Sequence, residues 1–305
     1  MDLDGVRLNF NPHNVWTVDI IIAVIMFGVA LDLKAEDFQR VVQMPKAAFL
    51  GLFAQFLLFP AVTYLLTRAL NPHPSIALGM VIVAACPSGN MSNFITYMAK
   101  GNTALSVSIT AVATCVAVVM TPINIALWGR LNPITAPLLH RVALNPADML
   151  MTVFLILGIP LILGIWFARR FPRWADTLHR PFKTLSVGAL LAIIAIAFAG
   201  NFGLFTTYFA VIVSAVLPQN ALAFAAGYGL SRLARLNGPD TRAVTIELGI
   251  HNSALGLTLI FAFFAEHGGA ALIAGFWGVW HIVAGLILAS LWSRVPIARP
   301  AAGAA

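Results

Sequence analysis

Glu247 sits in the run Ile246-Glu-Leu-Gly-Ile-His-Asn-Ser253, with apolar sequence on either side. An ionisable group at membrane depth is costly and marks a functional site by default. His251 follows four residues later, so the two side chains share a face if the backbone is helical, and His281 lies inside a later apolar run. A second polar interruption is Cys86-Pro-Ser-Gly-Asn-Met-Ser-Asn93. Proline removes a backbone donor and glycine permits unusual dihedrals, so carbonyls here leave the helical ladder. Thr103, Ser106, Thr110 and Thr114, spaced three, four and four apart, form a polar stripe on one face of the next apolar run. One carboxylate with several amides and hydroxyls makes an oxygen-rich cage, the chemistry of a hard cation, and a single carboxylate suits a monovalent one. Hydroxyls at this spacing also serve helix packing or back-bonding.

Other chemistries have weaker footing. An intramembrane serine hydrolase would need Ser88 as nucleophile and His281 as base. Ser88, however, stands in Pro-Ser-Gly rather than Gly-x-Ser-x-Gly, and no carboxylate is placed to orient the histidine. His281 is equally read as a buried hydrogen-bonding histidine. No His-Glu-x-x-His motif occurs, and the two cysteines, Cys86 and Cys115, both inside apolar runs, build neither a disulfide framework nor a zinc cluster. Polar residues confined to two interruptions and one stripe do not outline a continuous pore. No catalytic residue is assigned, and Trp277 and Trp280 read as packing or interface residues. Asp19, Asp32, Asp148, Asp240 and Glu266 fall near the ends of apolar runs and read as interfacial or capping carboxylates.

The elements that must carry these residues are membrane helices. The 305 residues are 60% hydrophobic and 10% charged, with a mean hydropathy of +0.90, whereas a soluble domain carries about a quarter charged residues. A bilayer crossing takes about 20 mainly apolar residues. Nine stretches qualify: Val15 to Leu33, Ala47 to Leu70, Ser75 to Ala99, Thr103 to Gly129, Met149 to Ala168, Leu185 to Leu204, Thr207 to Leu230, Arg242 to Ala265 and Ala270 to Ser293. Short cytoplasmic loops carry the excess of Lys and Arg. This partition puts fourteen of the 18 on one side and leaves only Arg7, Arg68, Arg130 and Arg141 on the other. The amino terminus is therefore expected outside and the carboxyl terminus inside, in a bacterial inner membrane. The net charge of +7 reads as a topology signal, not as a nucleic-acid footprint. The start of the chain shows no basic region ahead of an apolar run, so no cleaved signal is expected. The longest loops, near 130–148 and 169–184, are too short for a soluble domain.

Broken backbone at membrane depth is tolerated only where protein buries it or where it lines a wet cavity. Two broken spans in corresponding positions of two halves point to a transporter site. Gly89-Asn-Met-Ser-Asn93 and Gly249-Ile-His-Asn-Ser253 are such a pair, each followed by a renewed apolar run. Four spans precede the basic loop and five follow it, so equivalent elements enter from opposite sides, as in inverted repeats. The competing reading is two kinked helices whose polar kinks are satisfied by neighbours.

Four blocks carry a resemblance: Phe27-Gly-Val-Ala-Leu-Asp-Leu33, Ala54-Gln-Phe-Leu-Leu-Phe-Pro60, the stretch from Cys86 to Thr110, and Glu247 to Ser253. From about Val15 to Trp292 the chain resembles the bile acid:sodium symporter family, including its bacterial homologues of the apical sodium-dependent bile acid transporter. The resemblance implies an all-α polytopic fold in which two discontinuous helices cross within a core domain flanked by a panel domain. In those terms residues 1–14 form an extracytoplasmic tail, and 15–70 and 149–204 form the panel. Residues 75–129 form the first core segment, broken around 87–93; 207–293 form the second, broken around 247–253; and 294–305 form a cytoplasmic tail. It implies one sodium site at Ser92, Asn93, Ser106, Thr110 and Glu247. A second would use Gln55, Glu247, the carbonyls of Leu248 and Ile250, and the side chain at 251. The cargo, an organic anion such as a bile acid, pantoate or a 2-oxo acid, would touch Asn90, Met91, Asn252, Ser253 and His281. No obligate protein partner is implied. Two departures stand out. Bacterial relatives often have ten spans, so nine imply a smaller panel. Position 251 is usually glutamine; histidine is a poor sodium ligand when neutral and repels the ion when charged. The expectation is fewer than two sodium ions per cycle, or a proton in place of one, the latter giving a proton-coupled carrier that uses Glu247, His251 and His281.

Overall fold

The computed structural model describes residues 23–24, 26–31, 33–141, 150–151, 153–178, 181–182, 184–185, 188 and 202–295. Within them the chain is all-helical, with one isolated antiparallel bridge. A short helix α1 (Ala35–Gln43) leads into α2, which runs Pro45–Leu70 with a π turn at Ala54–Leu58. The first broken span comprises α3 (Pro74–Ala85) and α4 (Met91–Met98). Next come α5 (Thr103–Leu131), α6 (Ala136–Arg141) and α7 (Ile159–Arg170), the last preceded by a π turn at Phe154–Gly158. Then follow α8 (Phe202–Leu233), the second broken span α9 (Gly238–Gly249) and α10 (Ser253–Phe263), and finally α11 (Gly268–Arg294). Of the described helices, α2, α5, α8 and α11 are long and apolar enough to cross a membrane. The first and sixth expected spans, Val15 to Leu33 and Leu185 to Leu204, and Asp19, Asp32 and Asp148, lie largely or wholly outside the described residues.

The breaks follow from local chemistry. Cys86 precedes proline, a position pushed out of the helical region, and it is extended (φ −75°, ψ 153°), which ends α3. In the other broken span α9 ends at Gly249 and the chain leaves it through Ile250, also extended (φ −119°, ψ 101°). A Cβ on Gly249 would stand 2.1 Å from the Phe224 ring, so only glycine lets α8 come this close. Gly79 likewise lets α3 lie directly on the Ala270 backbone of α11. The two first halves, α3 and α9, are each 12 residues long and each begin with proline in the first turn. The half-helices pack among α5, α8 and α11 around buried Ile76, Met80, Ile82, Phe59, Phe264 and Trp277.

Three details differ from the sequence reading. The segment between the first two spans is not a plain loop: α1 is capped by Asp37, which accepts from the Lys34 backbone N–H (3.1 Å) and pairs with Arg40 (3.0 Å). The expected break between Leu204 and Thr207 is absent, because α8 is continuous from Phe202. Thr206 and Thr207 there donate to the carbonyls of Phe202 and Gly203 (3.1 and 2.7 Å), so their polar groups are satisfied inside the helix. Arg242, counted with the loop charges, is buried in α9. Its guanidinium donates to the carbonyls of Ala99 (2.7 Å) and Val295 (2.9 Å) and lies over Trp292. Those carbonyls close α4 and α11, the negative ends of two helix dipoles.

Candidate functional site

The two broken spans meet back to back. Ser88 and His251 form the bridge: Asn252 N–H donates to the Pro87 carbonyl (2.8 Å) and Gly89 N–H to the Ile250 carbonyl (3.4 Å). Backbone groups that proline and glycine free from their helices are thus paired across the crossing. The last carbonyl of α9, on Gly249, accepts from Asn220 Nδ2 (2.8 Å). The Asn252 side chain accepts from Leu255 N–H (3.1 Å) and caps α10, whereas Asn90 makes no such cap on α4.

Glu247, on the last turns of α9, is buried on the α4 and α5 side of this bridge. Ser92 and Ser106 donate to its Oε1 and Ser88 to its Oε2, each at 2.5 Å. The Thr110 hydroxyl lies 3.1 Å from both carboxylate oxygens. Asn93 joins through its Oδ1, 2.8 Å from Ser106 and 3.2 Å from Thr110. Seven oxygens therefore share only four hydroxyl protons. An excess of acceptor oxygens over protons, with one carboxylate among them, is the donor chemistry of a small monovalent cation. Ser92, Asn93, Ser106, Thr110 and Glu247, drawn from three separate helices, are brought together. Ser88, weighed in the sequence only as a nucleophile, completes the set. The rest of the stripe faces elsewhere: Thr114 back-bonds to the Thr110 carbonyl (2.8 Å), and Thr103 opens α5.

Gln55 and His251 stand apart from this hydrogen-bond network. Gln55 sits on the π turn of α2, which packs against α3 and α9. Such turns occur near prolines and at functional sites. Pro60 lacks the N–H that would reach the Phe56 carbonyl, and Asn124 Nδ2 of α5 donates to that carbonyl instead (2.9 Å). Gln55 and His251 are both 1% exposed, and neither side chain has a hydrogen-bond partner. The His251 ring packs on Phe59 (4.6 Å between centroids) and edge-on to Trp277 (6.2 Å), which in turn meets His281 (6.3 Å). Of the residues expected to touch cargo, Asn90 and Met91 are exposed at the start of α4 and Asn252 is half-buried, while Ser253 and His281 are enclosed. Asp240 behaves as a capping carboxylate, accepting from Asn102 (2.7 Å) and Asn237 (2.8 Å).

The sequence model of the sodium bile acid symporter family matches residues 19–208. A sodium-dependent transporter of Bacillus subtilis, YocS, itself uncharacterised, is 30% identical over 91% of this chain and 83% of its own length. A probable chloroplastic sodium/metabolite cotransporter of Arabidopsis thaliana, BASS1, is 28% identical over 92% of this chain and 67% of its own. The human P3 protein is 26% identical over 77% of this chain and 48% of its own.

Proposed function

The chain belongs to the sodium bile acid symporter family, a family of sodium-dependent membrane transporters and not of enzymes, and from that premise we propose that it imports an organic anion by sodium-coupled alternating access. The observation that carries this reading is the buried Glu247 carboxylate under four hydroxyls where two broken helices cross. The sodium ion, as co-transported cargo, sits among Glu247, Ser88, Ser92, Asn93, Ser106 and Thr110. It neutralises the carboxylate and fixes α4 and α9 to α5. An ion bound there orders the start of α4, whose first backbone N–H groups are free of side-chain capping and beside which Asn90 and Met91 are exposed. Helix amino termini favour anions through these free N–H groups and the helix dipole. The cargo carboxylate docks there, between Asn90 and Asn252, and its body extends past Met91. Ser253 and His281 become accessible when the core moves against the flanking helices. Coupling is then the difference in anion affinity with and without the ion.

The protein resides in the plasma membrane of a bacterium, with its amino terminus outside and its carboxyl terminus in the cytoplasm. Reconstitution into proteoliposomes tests the reading, with radiolabelled taurocholate, pantoate and pyruvate as probes. At least one probe should enter under an inward sodium gradient and fail to enter under a potassium gradient of equal size, and Glu247→Gln should abolish the difference. Uptake that is equal in the two gradients for every transported probe would overturn it.

A further inference from the structure

The surroundings of His251 are polar and short of hydrogen-bond partners. Six buried atoms on four side chains lack hydrogen-bond partners: Gln55 Oε1 and Nε2, His251 Nδ1 and Nε2, Trp277 Nε1 and His281 Nδ1. The ring contacts string His251, Trp277 and His281 together, and Gln55 lies one turn before Phe59, on which His251 packs. Buried polar atoms do not stay orphaned without cost, so something polar completes them. The inventory says what. Tryptophan offers only an N–H; imidazole offers one N–H and one lone pair when neutral and two N–H groups when charged; the amide offers both kinds. A cation needs lone pairs on every side, whereas water takes donors and acceptors together.

We propose that this chain moves one sodium ion per cycle, bound at Glu247, and that ordered water, not a second cation, completes the unpartnered atoms of His251, Trp277 and Gln55. The proposal rests on the reading of the Glu247 cage as the sodium site and sets its stoichiometry. With one ion per cycle, symport of a monovalent anion is electroneutral, and accumulation follows the sodium ratio to the first power rather than to its square.

The test counts ions without any cargo. A ligand that binds only the folded state stabilises it by RT ln(1 + [L]/Kd), so at saturation the slope of stability against ln[Na⁺] is RT for each ion bound. The full-length protein in detergent is unfolded across a sodium series, with choline holding ionic strength constant. The slope of the wild type should correspond to one ion, and His251→Gln, which exchanges imidazole for an amide oxygen, should raise it toward two. A wild-type slope of two ions overturns this inference and leaves the sodium reading of Glu247 standing, whether or not the variant folds. A wild-type slope of zero overturns that reading itself. A variant that folds and stays at one ion overturns the part given to His251.

Discussion

One backbone bridge, Ser88 to His251, joins two polar regions of opposite character. On the Glu247 side the carboxylate and the four hydroxyls around it all have partners and acceptors outnumber protons; on the His251 side the side chains carry both donors and acceptors and lack partners. The same device, proline and glycine releasing backbone from two crossing helices, serves both. What distinguishes them is the side chains arriving from the neighbours: α5 brings Ser106 and Thr110 to one region, and α2 and α11 bring Phe59, Trp277 and His281 to the other.

The largest effect expected from breaking this contrast is that of Glu247→Gln, which leaves the hydroxyls facing a neutral amide. Loss of a charge-assisted contact of about 3 kcal/mol corresponds to a fall in sodium affinity of about 100-fold, read from the midpoint of sodium-dependent thermal stabilisation. Thr110→Val removes the one hydroxyl that lies against both carboxylate oxygens and Asn93. Its expected cost is about tenfold in the same midpoint, the equivalent of about 1.4 kcal/mol, with folding retained because valine keeps the shape. Ser88→Ala, touching Oε2 and only the edge of Thr110, should cost about threefold, or roughly 0.7 kcal/mol. The smallest effects sharpen the comparison from outside the cage. Thr114→Val, whose hydroxyl only back-bonds, and Trp277→Phe, which meets His251 and not the Glu247 network, should each leave the sodium midpoint within about twofold. A tenfold change from Trp277→Phe would show that the two regions act as one site.

The central residue and both breaks were legible because carboxylate, proline and glycine are conspicuous in apolar sequence. Glu247, Pro87 and Gly249 stand where a plain spanning helix has no use for them. Ser88 was legible as a residue but not in its placement, because only the folded chain shows that it faces a carboxylate 159 positions away. The amides Asn124, Gln219 and Asn220 went unread, although each donates to a backbone carbonyl of the crossing or its surroundings: Phe56, Met80 and Gly249 respectively. Uncharged, and set in long apolar helices as one lone residue and one adjacent pair, they leave no periodic trace; an amide at membrane depth was the available signal. The start of α8 misled for the converse reason. Asn201, Gly203, Thr206 and Thr207 resemble a turn in sequence, yet the threonine hydroxyls bond back to their own helix. Helix α1 was hidden by its charges, which suit an amphipathic helix as well as a loop.

The most direct measurement of the central claim is the unfolding temperature of the purified protein in sodium, potassium and choline chloride at equal ionic strength, with Glu247→Gln alongside. At a sodium concentration that just saturates the wild type, the account predicts a rise specific to sodium in the wild type and its absence in the variant, whose affinity is about 100-fold lower. Equal unfolding temperatures in the three salts, or a sodium-specific rise that survives in Glu247→Gln, would contradict it.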